Sequence, residues 1–278
     1  MNKKLVITAD DFGISEDANE AILRAFKEGS LTNTCIIANG DAFEHAMKEI
    51  FPQISEIGFG VHLNIIEGKT LHPINRDSLL YDSEWFYSNS FGELLTKSFN
   101  QTFLKEVETD FRFQIEKVLE KAKVDHLNSH VHVHAIPNIF RITCKLAKEY
   151  GIKYVRTQNE IPYFIPDIKK HFDSRFPVNL IKLGILNIFS YLNRRTLKEF
   201  GILSNDFFGG VTYTSYMDEN AIKYCLEKIE KTKSLTEVIL HPTVDRSRRD
   251  NYKEFLTLIN PELKKTIQHL NFELTNFK

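Results

Sequence analysis

The sequence predicts an α/β fold built on a parallel sheet, and two features of the chain lead to this prediction. Short apolar runs typical of buried strands alternate with segments whose apolar residues keep helical spacing. Such an alternation is typical of a parallel sheet covered by helices. In addition, acidic and histidine side chains follow several of the apolar runs, and β/α proteins build their active sites at the carboxyl ends of their strands.

The individual elements follow from local signals. Caps such as Ser15 and Asp218 precede helical patterns, and Gly29 follows the first of them. The predicted strands cover residues 5–7, 34–38, 57–63, 126–134, 153–156 and 237–241, with a further alternating segment at 272–277. The predicted helices lie between Ser15 and Gly29, between Asp41 and Pro52, over 104–119, between Pro137 and Gly151, over 218–229 and near 261–270.

Residues 158–210 interrupt this alternation, and we predict that they form a lid-like insertion over the site. Its apolar stretch 178–192 could instead form an amphipathic helix that touches a membrane or a lipid-linked substrate. Because few polar residues lie opposite its apolar face, a buried helix or an oligomer contact explains the stretch better. Nothing in the sequence argues for two independent domains, so we predict one domain over residues 1–278.

Composition excludes some classes of protein. The 36 lysines and arginines nearly balance the 37 aspartates and glutamates, so the net charge of −1 gives no indication of nucleic-acid binding. No run of about 18 apolar residues exists, so no integral membrane segment is predicted, and the first residues lack a signal sequence. We therefore expect a cytoplasmic protein. Its three cysteines lie far apart in apolar segments, as is typical of reduced core residues.

Four of the ten histidines lie within nine residues, at positions 126, 130, 132 and 134. On an extended strand these imidazoles, together with Asn128, would all face one side. Several imidazoles on one patch indicate metal binding or proton transfer. The alternative is a solvated edge strand or a set of hydrogen-bonded core histidines, which we consider less consistent with four histidines in phase.

Adjacent carboxylates supply the partners that such imidazoles need. Asp10 and Asp11 end the first predicted strand, and His62 ends the third. One of the two carboxylates, with His62 and His130, would form a three-ligand site with open positions for water, as catalytic metals use. The other carboxylate would be free to act as a base. His241 follows another apolar strand and would lie at the same edge.

Five ordered segments of the chain resemble the motifs of the YdjC-like carbohydrate deacetylases, which include chitooligosaccharide and hopanoid-linked sugar deacetylases. These segments are Ala9-Asp-Asp-Phe-Gly13, Gly60-Val-His-Leu-Asn64, His126-Leu-Asn-Ser-His-Val-His-Val-His134, Asn205-Asp-Phe-Phe-Gly209 and Glu237-Val-Ile-Leu-His-Pro242. The resemblance covers essentially the whole chain. It implies a distorted, TIM-barrel-like β/α barrel that removes N-acetyl groups from amino sugars with one divalent metal ion.

The resemblance also assigns roles to residues. It implies that Asp11, His62 and His130 bind the metal, that Asp10 is the base and that His241 is the acid that protonates the leaving amine. The remaining candidates, which would support the ligands or contact substrate, are His126, Asn128, His132, His134 and Arg156. The chain departs from the family pattern at Asn128, where aspartate is usual, at Val131, where a histidine is frequent, and at Thr243, where glycine is common.

Two other functions remain open at this point. A metal-dependent phosphoesterase also uses clustered aspartates and histidines, although it generally needs more carboxylates and a cationic clamp. A non-catalytic sugar- or metal-binding protein would be expected to lose Asp10 or His241, and both are present. The ligand set suits zinc or magnesium. The expected partner is an acetylated amino-sugar substrate, and a homodimer remains open.

Overall fold

The computed structural model describes residues 3–73, 77–166, 175–230 and 233–278. Within these residues, eight strands form one sheet in which every pairing is parallel. The strands are β1 Lys3–Phe12, β2 Asn33–Ile36, β3 Gly58–Leu63, β4 His126–Ser129, β5 Tyr154–Val155, β6 Phe207–Gly209, β7 Leu235–Leu240 and β8 Phe272–Leu274.

The order of the strands brings the predicted site together. The sheet runs β5-β4-β3-β2-β1-β7-β6, and β8 pairs with the start of β1. This all-parallel sheet curls into a half-barrel, which confirms the predicted α/β class and distorted barrel. Because the strands are parallel, the ends of β1, β3, β4 and β7 meet at one edge.

The helices lie between the strands, as the alternation predicted. They are α1 Glu16–Glu28, α2 Phe43–His45, α3 Phe91–Lys97, α4 Gln101–Leu119, α5 Pro137–Glu149, α6 Arg175–Phe200, α7 Glu219–Glu227, α8 Arg249–Ile259 and α9 Pro261–His269. The predicted second helix is irregular, because α2 continues into a π turn, Ala46–Ile50, and a 3-10 turn, Phe51–Gln53. α3, α8 and β6 were not predicted.

Local chemistry accounts for the boundaries of α1. The Ser15 hydroxyl accepts a hydrogen bond from the backbone N–H of Ala18 at 3.2 Å, which satisfies one of the free donors of the first turn. At the other end, the Gly29 N–H donates to the carbonyl of Ala25 at 3.1 Å. The apolar face of the helix, which includes Ile22, is buried beside the sheet.

The predicted strand over residues 126–134 is wrong beyond its first four residues. β4 ends at Ser129, and residues His130–Ala135 form 3-10 turns. Val131 and His132 have positive φ angles of 53° and 59°, so the chain leaves the sheet at this point. The histidines therefore do not share one face.

The interrupting segment contributes α6, which packs against α5 and the turn at His130–Ala135. On its inward face, Leu183 and Leu186 form a small buried cluster with Ala135, Phe208, Val211 and Ile239. Part of the segment, residues 167–174, lies outside the described residues, and the lid role remains a prediction. No described helix is long and apolar enough to cross a membrane.

Candidate metal centre and active site

The end of β1 turns two adjacent carboxylates towards different neighbours. The pairing of β1 with β2 shifts register between Ala9 and Phe12. Asp11 has a φ of 66°, in the left-handed region that aspartate tolerates better than most residues. As a result Asp10 is buried within the sheet, whereas Asp11 remains partly exposed at its edge.

Asp11, His62 and His130 form the candidate metal centre. The Asp11 Oδ1 atom lies 3.4 Å from His62 Nε2 and 3.0 Å from His130 Nδ1. One ligand atom from each residue lies within 4.8 Å of the others. Neighbouring strands create this proximity, because His62 is at the end of β3 and His130 directly follows β4. One carboxylate and two imidazoles are a donor set that suits zinc and related divalent cations.

The amide of Asn128 decides which nitrogen of His62 is free. In one orientation its oxygen accepts from His62 Nδ1 at 2.7 Å and its nitrogen donates to Cys35 Sγ at 3.1 Å. In the other, its nitrogen donates to His62 Nδ1 and its oxygen accepts from Arg156 at 2.8 Å. The second orientation satisfies the donors and acceptors around the amide better. Only the first leaves the lone pair of Nε2 free to bind a cation, because Nδ1 then carries the proton, so a metal at Nε2 requires the first.

A second cluster with metal-binding residue types lies deeper, at Asp10, Cys35 and His62. Two facts argue against a cation there. Arg156 places its own positive charge on both carboxylate oxygens of Asp10. Burial and the nearby Asp10 carboxylate raise the pKa of the Cys35 thiol well above its ordinary value, so the thiolate form that binds metals is disfavoured. We therefore assign the candidate metal centre to the Asp11 cluster.

Arg156 organises the buried side of the site. Its guanidinium donates to Asp10 at 2.7 and 2.8 Å and to Glu237 at 3.0 and 2.7 Å. Thr8 adds a hydroxyl bond of 2.7 Å to Glu237. Although burial alone would raise it, the pKa of Asp10 is held well below its ordinary value, chiefly by Arg156. Asp10 is therefore ionised at neutral pH.

Glu67 lies on the open side of His130. Its Oε1 atom is 3.2 Å from His130 Nε2. Burial lowers the pKa of His130, but Asp11 and Glu67 outweigh it and raise this pKa to about 10. A cavity of about 300 Å³ adjoins Glu67. Its lining is mostly polar and consists of Ile14, Ile37, Asn39, Gly40, Asp41, Asn64, Glu67, Gly68 and Arg248.

His241 follows β7 and is held by Glu254 of α8. The Glu254 Oε2 atom accepts from the His241 backbone N–H at 2.6 Å and lies 3.6 Å from its Nδ1. Burial lowers the pKa of His241, but Glu254, Asp11 and Asp10 outweigh it and raise this pKa to about 9. About a quarter of the His241 side chain is exposed. His241 is therefore protonated at neutral pH and accessible.

The other three histidines of the 126–134 segment point away from the Asp11 cluster. His126 pairs with Asp125 and packs at a tilt against Phe277, and its ring occupies the space where a Cβ on Gly60 would lie. His132 packs edge-on against Phe208. His134 bonds to Ser129 and to the backbone carbonyl of Arg156 at 3.0 Å. Burial is the main reason that the pKa values of His132 and His134 are lowered, that of His134 to about 3.

Sequence reasoning did not identify Cys35, Glu67, Glu237 or Glu254 as parts of the site. Glu237 offered one signal, because it is a charged residue in an otherwise apolar strand and such residues are rarely buried without a partner. The other three offered none, since their contacts depend on how distant segments pack together.

The parallel half-barrel and the Asp/His cluster at its carboxyl edge define an α/β protein with a candidate enzyme site. The sequence matches the family model described as YdjC-like protein over residues 4–269. The chain therefore belongs to the YdjC-like family, which confirms the resemblance stated above.

Several relatives share this sequence pattern. A carbohydrate deacetylase of Clostridium beijerinckii is 28% identical over 99% of both chains. A chitooligosaccharide deacetylase of Salmonella paratyphi B is 30% identical over 55% of this chain and 58% of its own. Among solved structures, an Enterococcus faecalis protein named for a proposed role in cellobiose-phosphate cleavage aligns with a TM-score of 0.72. It is 20% identical, and the alignment covers 100% of this chain and 98% of that one, which supports the fold alone.

Proposed function

We propose that this protein is a metal-dependent hydrolase that removes N-acetyl groups from acetylated amino sugars or their oligosaccharides. The observation that carries the proposal is the joining of Asp11, His62 and His130 at one edge, with Asp10 and His241 beside them. Family membership and the names of the relatives support the same substrate class.

Asp11, His62 and His130 would hold the cation, which we expect to be zinc or magnesium. When bound, a divalent cation would polarise the acetamide carbonyl and lower the pKa of an attacking water. This lowering is needed because Asp10, whose own pKa is low, is a weak base and can deprotonate only an acidified water. Arg156 separates the roles of the two aspartates. Because it occupies both oxygens of Asp10, it leaves Asp11 as the available ligand.

Asp10 is the proposed base. It is ionised at neutral pH, and it belongs to the buried cluster around His62, where Cys35 contacts both Asp10 and His62 at 3.1 Å. Arg156 fixes the orientation of the carboxylate, so the proton acceptor is held in place before substrate arrives.

His241 is the proposed acid. An amine is a poor leaving group unless its nitrogen gains a proton, and His241 is protonated at neutral pH because its pKa is raised to about 9. Glu254 fixes the position of His241 and stabilises its charged form. Glu254 therefore has the role that the buried aspartate of a catalytic triad has: it orients the histidine and stabilises its charged form.

The cavity beside Glu67 is the proposed place for the sugar ring. Its asparagine, aspartate, glutamate and arginine side chains match the hydroxyl groups of a carbohydrate. The phosphoesterase alternative is less well supported. Arg156 is fully engaged by two carboxylates, and the cavity has two carboxylates, Asp41 and Glu67, beside its one cationic side chain, Arg248.

The test is acetate release from N-acetylglucosamine oligomers by protein that has been stripped of metal and reloaded with zinc or magnesium. Reloaded protein should release acetate, and stripped protein should not. His62→Ala and His130→Ala should lose both bound metal and activity, and Asp11→Asn should bind metal weakly. His269→Ala, which changes an exposed histidine on α9, is the matched control and should behave as wild type.

Two results would contradict the proposal. Stoichiometric metal in the His62→Ala/His130→Ala double variant would remove the ligand assignment. Full activity on a phosphate ester, with none on any acetylated sugar, would show that the protein is a phosphoesterase and not a deacetylase.

A further inference from the structure

Lys182 of α6 is a charged side chain that the proposed mechanism does not use. It is partly buried, and it makes no hydrogen bond or ion pair with the described part of the chain. Burial lowers the pKa of its amine, and no described carboxylate opposes this shift. Because an ammonium group loses hydration when it is buried without a partner, such a residue is a candidate for ligand binding.

The first half of α6 places Lys182 at the edge of the sheet that holds the candidate metal centre. Asn179 donates to the carbonyl of Thr212, just beyond the carboxyl end of β6, at 3.3 Å. Leu183, the neighbour of Lys182, packs in one buried cluster with Phe208 of β6. This part of α6 is therefore fixed against the carboxyl ends of the strands.

His132 is a second polar side chain at this edge without a partner. It is 5% exposed, and its Nδ1 atom is buried without a hydrogen bond to the described residues. Its ring packs edge-on against Phe208, with the ring centroids 5.8 Å apart. The guanidinium of Arg156, which holds Asp10, lies 5.6 Å from the centroid of the same Phe208 ring. His132 therefore lies near the buried side of the candidate active site.

Lys182 and His132 lie near each other. His132 contacts the ring of Phe208, and Leu183 packs in the same apolar cluster as that ring. After burial, the positive charge of Lys182 is the largest cause that lowers the pKa of His132. The two residues thus bring an ammonium group and an imidazole together beside apolar side chains.

The chemistry of this group of side chains matches a small carboxylate. An ammonium group and an imidazole N–H can each donate to a carboxylate oxygen, and the apolar cluster around Phe208 can contact a methyl group. One ammonium group balances the single negative charge of a carboxylate, whereas a phosphate dianion would keep an unbalanced charge. Acetate combines one carboxylate with one methyl group.

We propose that Lys182 and His132 form a subsite for acetate, which the proposed deacetylation releases. The inference rests on the proposed function for the source of the acetate. Hydrolysis adds the oxygen of water to the acetyl carbon and breaks its C–N bond, so the products are acetate and the amine. Lys182 then gives the carboxylate a partner outside the Asp11 cluster, while the amine leaves from the side of His241.

The first experiment titrates acetate into protein that is kept metal-free by a chelator, and follows saturation transfer to the acetate methyl protons by NMR. Wild type should bind acetate. Lys182→Met should raise the acetate dissociation constant at least about tenfold, because it removes a charge-assisted hydrogen bond. Lys182→Arg should keep most of the affinity. Lys198→Met, which removes an exposed lysine of the same helix, is the matched control and should bind as wild type.

The second experiment tests the fold of the variants without acetate. Lys182→Met removes a charge that has no described partner, so its thermal midpoint should hold or rise. His132→Phe keeps a ring against Phe208 but has no N–H, so it should also weaken acetate binding. In metal-loaded protein, Lys182→Met should raise the inhibition constant of acetate by the same factor as the dissociation constant.

Three results would overturn the subsite: an acetate dissociation constant that Lys182→Met changes by less than about twofold, a lower thermal midpoint for this variant, or inorganic phosphate that binds through Lys182 more tightly than acetate does. A protein that binds acetate through Lys182 but releases none from any acetylated sugar would support the subsite and contradict the proposed function alone. Acetate release with binding that does not depend on Lys182 would do the reverse.

Discussion

Replacing Arg156 with methionine should destabilise the protein by about 3–5 kcal/mol at pH 7, the usual cost of removing one partner of a buried ion pair. Arg156 makes four hydrogen bonds to Asp10 and Glu237. The side chains of all three residues are at most 1% exposed. Methionine fills a similar length without charge, so the variant would leave two buried carboxylates without their cation.

The pH dependence gives the sharper signature. In the wild type, Arg156 holds the pKa of Asp10 below that of the unfolded chain. The stability from Asp10 is therefore present above about pH 4 and is lost as the pH falls through the lower folded pKa. In the variant, burial dominates and raises the pKa of Asp10. A carboxyl group that stays protonated in the folded state lowers the free energy of unfolding by about 1.4 kcal/mol for each pH unit above its pKa in the unfolded chain, which amounts to about 4 kcal/mol at pH 7.

The difference between wild type and Arg156→Met should therefore shrink by up to about 3 kcal/mol between pH 7 and pH 5. Urea unfolding in the presence of a chelator, followed by circular dichroism at both pH values, measures it. Arg141→Met is the matched control, since Arg141 forms an exposed pair with Glu199 and should cost less than about 1 kcal/mol. A loss below about 1 kcal/mol for Arg156→Met, or one that is equal at both pH values, would refute the reasoning.

Three further predictions concern the site. Asn128→Asp should raise metal affinity about tenfold in calorimetric titration, because a carboxylate can only accept from His62 Nδ1 and so keeps Nε2 free; unchanged affinity would contradict this. Glu254→Gln removes a charge that raises the pKa of His241, so the alkaline limb of the kcat profile should move from about 9 towards neutral pH; a lower kcat with an unmoved limb would indicate a structural role alone. Asp10→Asn should keep its metal by elemental analysis and lose about two to four orders of magnitude in rate; an empty site would reverse the roles.

The fold could be predicted largely because several of the strands are marked by buried apolar runs. In the sequence, β1, β3 and β7 appear as Leu5-Val-Ile7, Ile57 to Leu63 and Val238-Ile-Leu240. Parallel pairing then brings their carboxyl ends together whatever the fine register, so the approximate place of Asp11, His62 and His241 followed. α6 was only partly predictable, because its two faces are both apolar and only packing decides which one is buried.

The histidine stretch shows where periodicity fails. Alternation along a strand predicted that the side chains at 126, 128, 130, 132 and 134 would share one face of the sheet. Instead the strand ends at Ser129, and Val131 and His132, which have positive φ angles, break the alternation. Neither is a glycine or asparagine, the residues that usually announce such a turn. The site needs this break, since it places His130 towards Asp11 and directs His134 to the backbone of Arg156 instead.

Charge balance explains why the two adjacent aspartates are not interchangeable. Asp10 shares Arg156 with Glu237, so its negative charge has a fixed cation inside the protein. Asp11 faces no guanidinium among its described contacts but two imidazoles, His62 and His130, and the pKa of His130 is raised to about 10, so His130 carries a proton at neutral pH. Unlike the guanidinium beside Asp10, this proton can be released, so a cation from solution could replace it between Asp11 and the imidazoles. We therefore propose that the guanidinium that neutralises Asp10 also directs the metal to Asp11. Any change that frees Asp10 from Arg156 should make the two carboxylates compete for the metal.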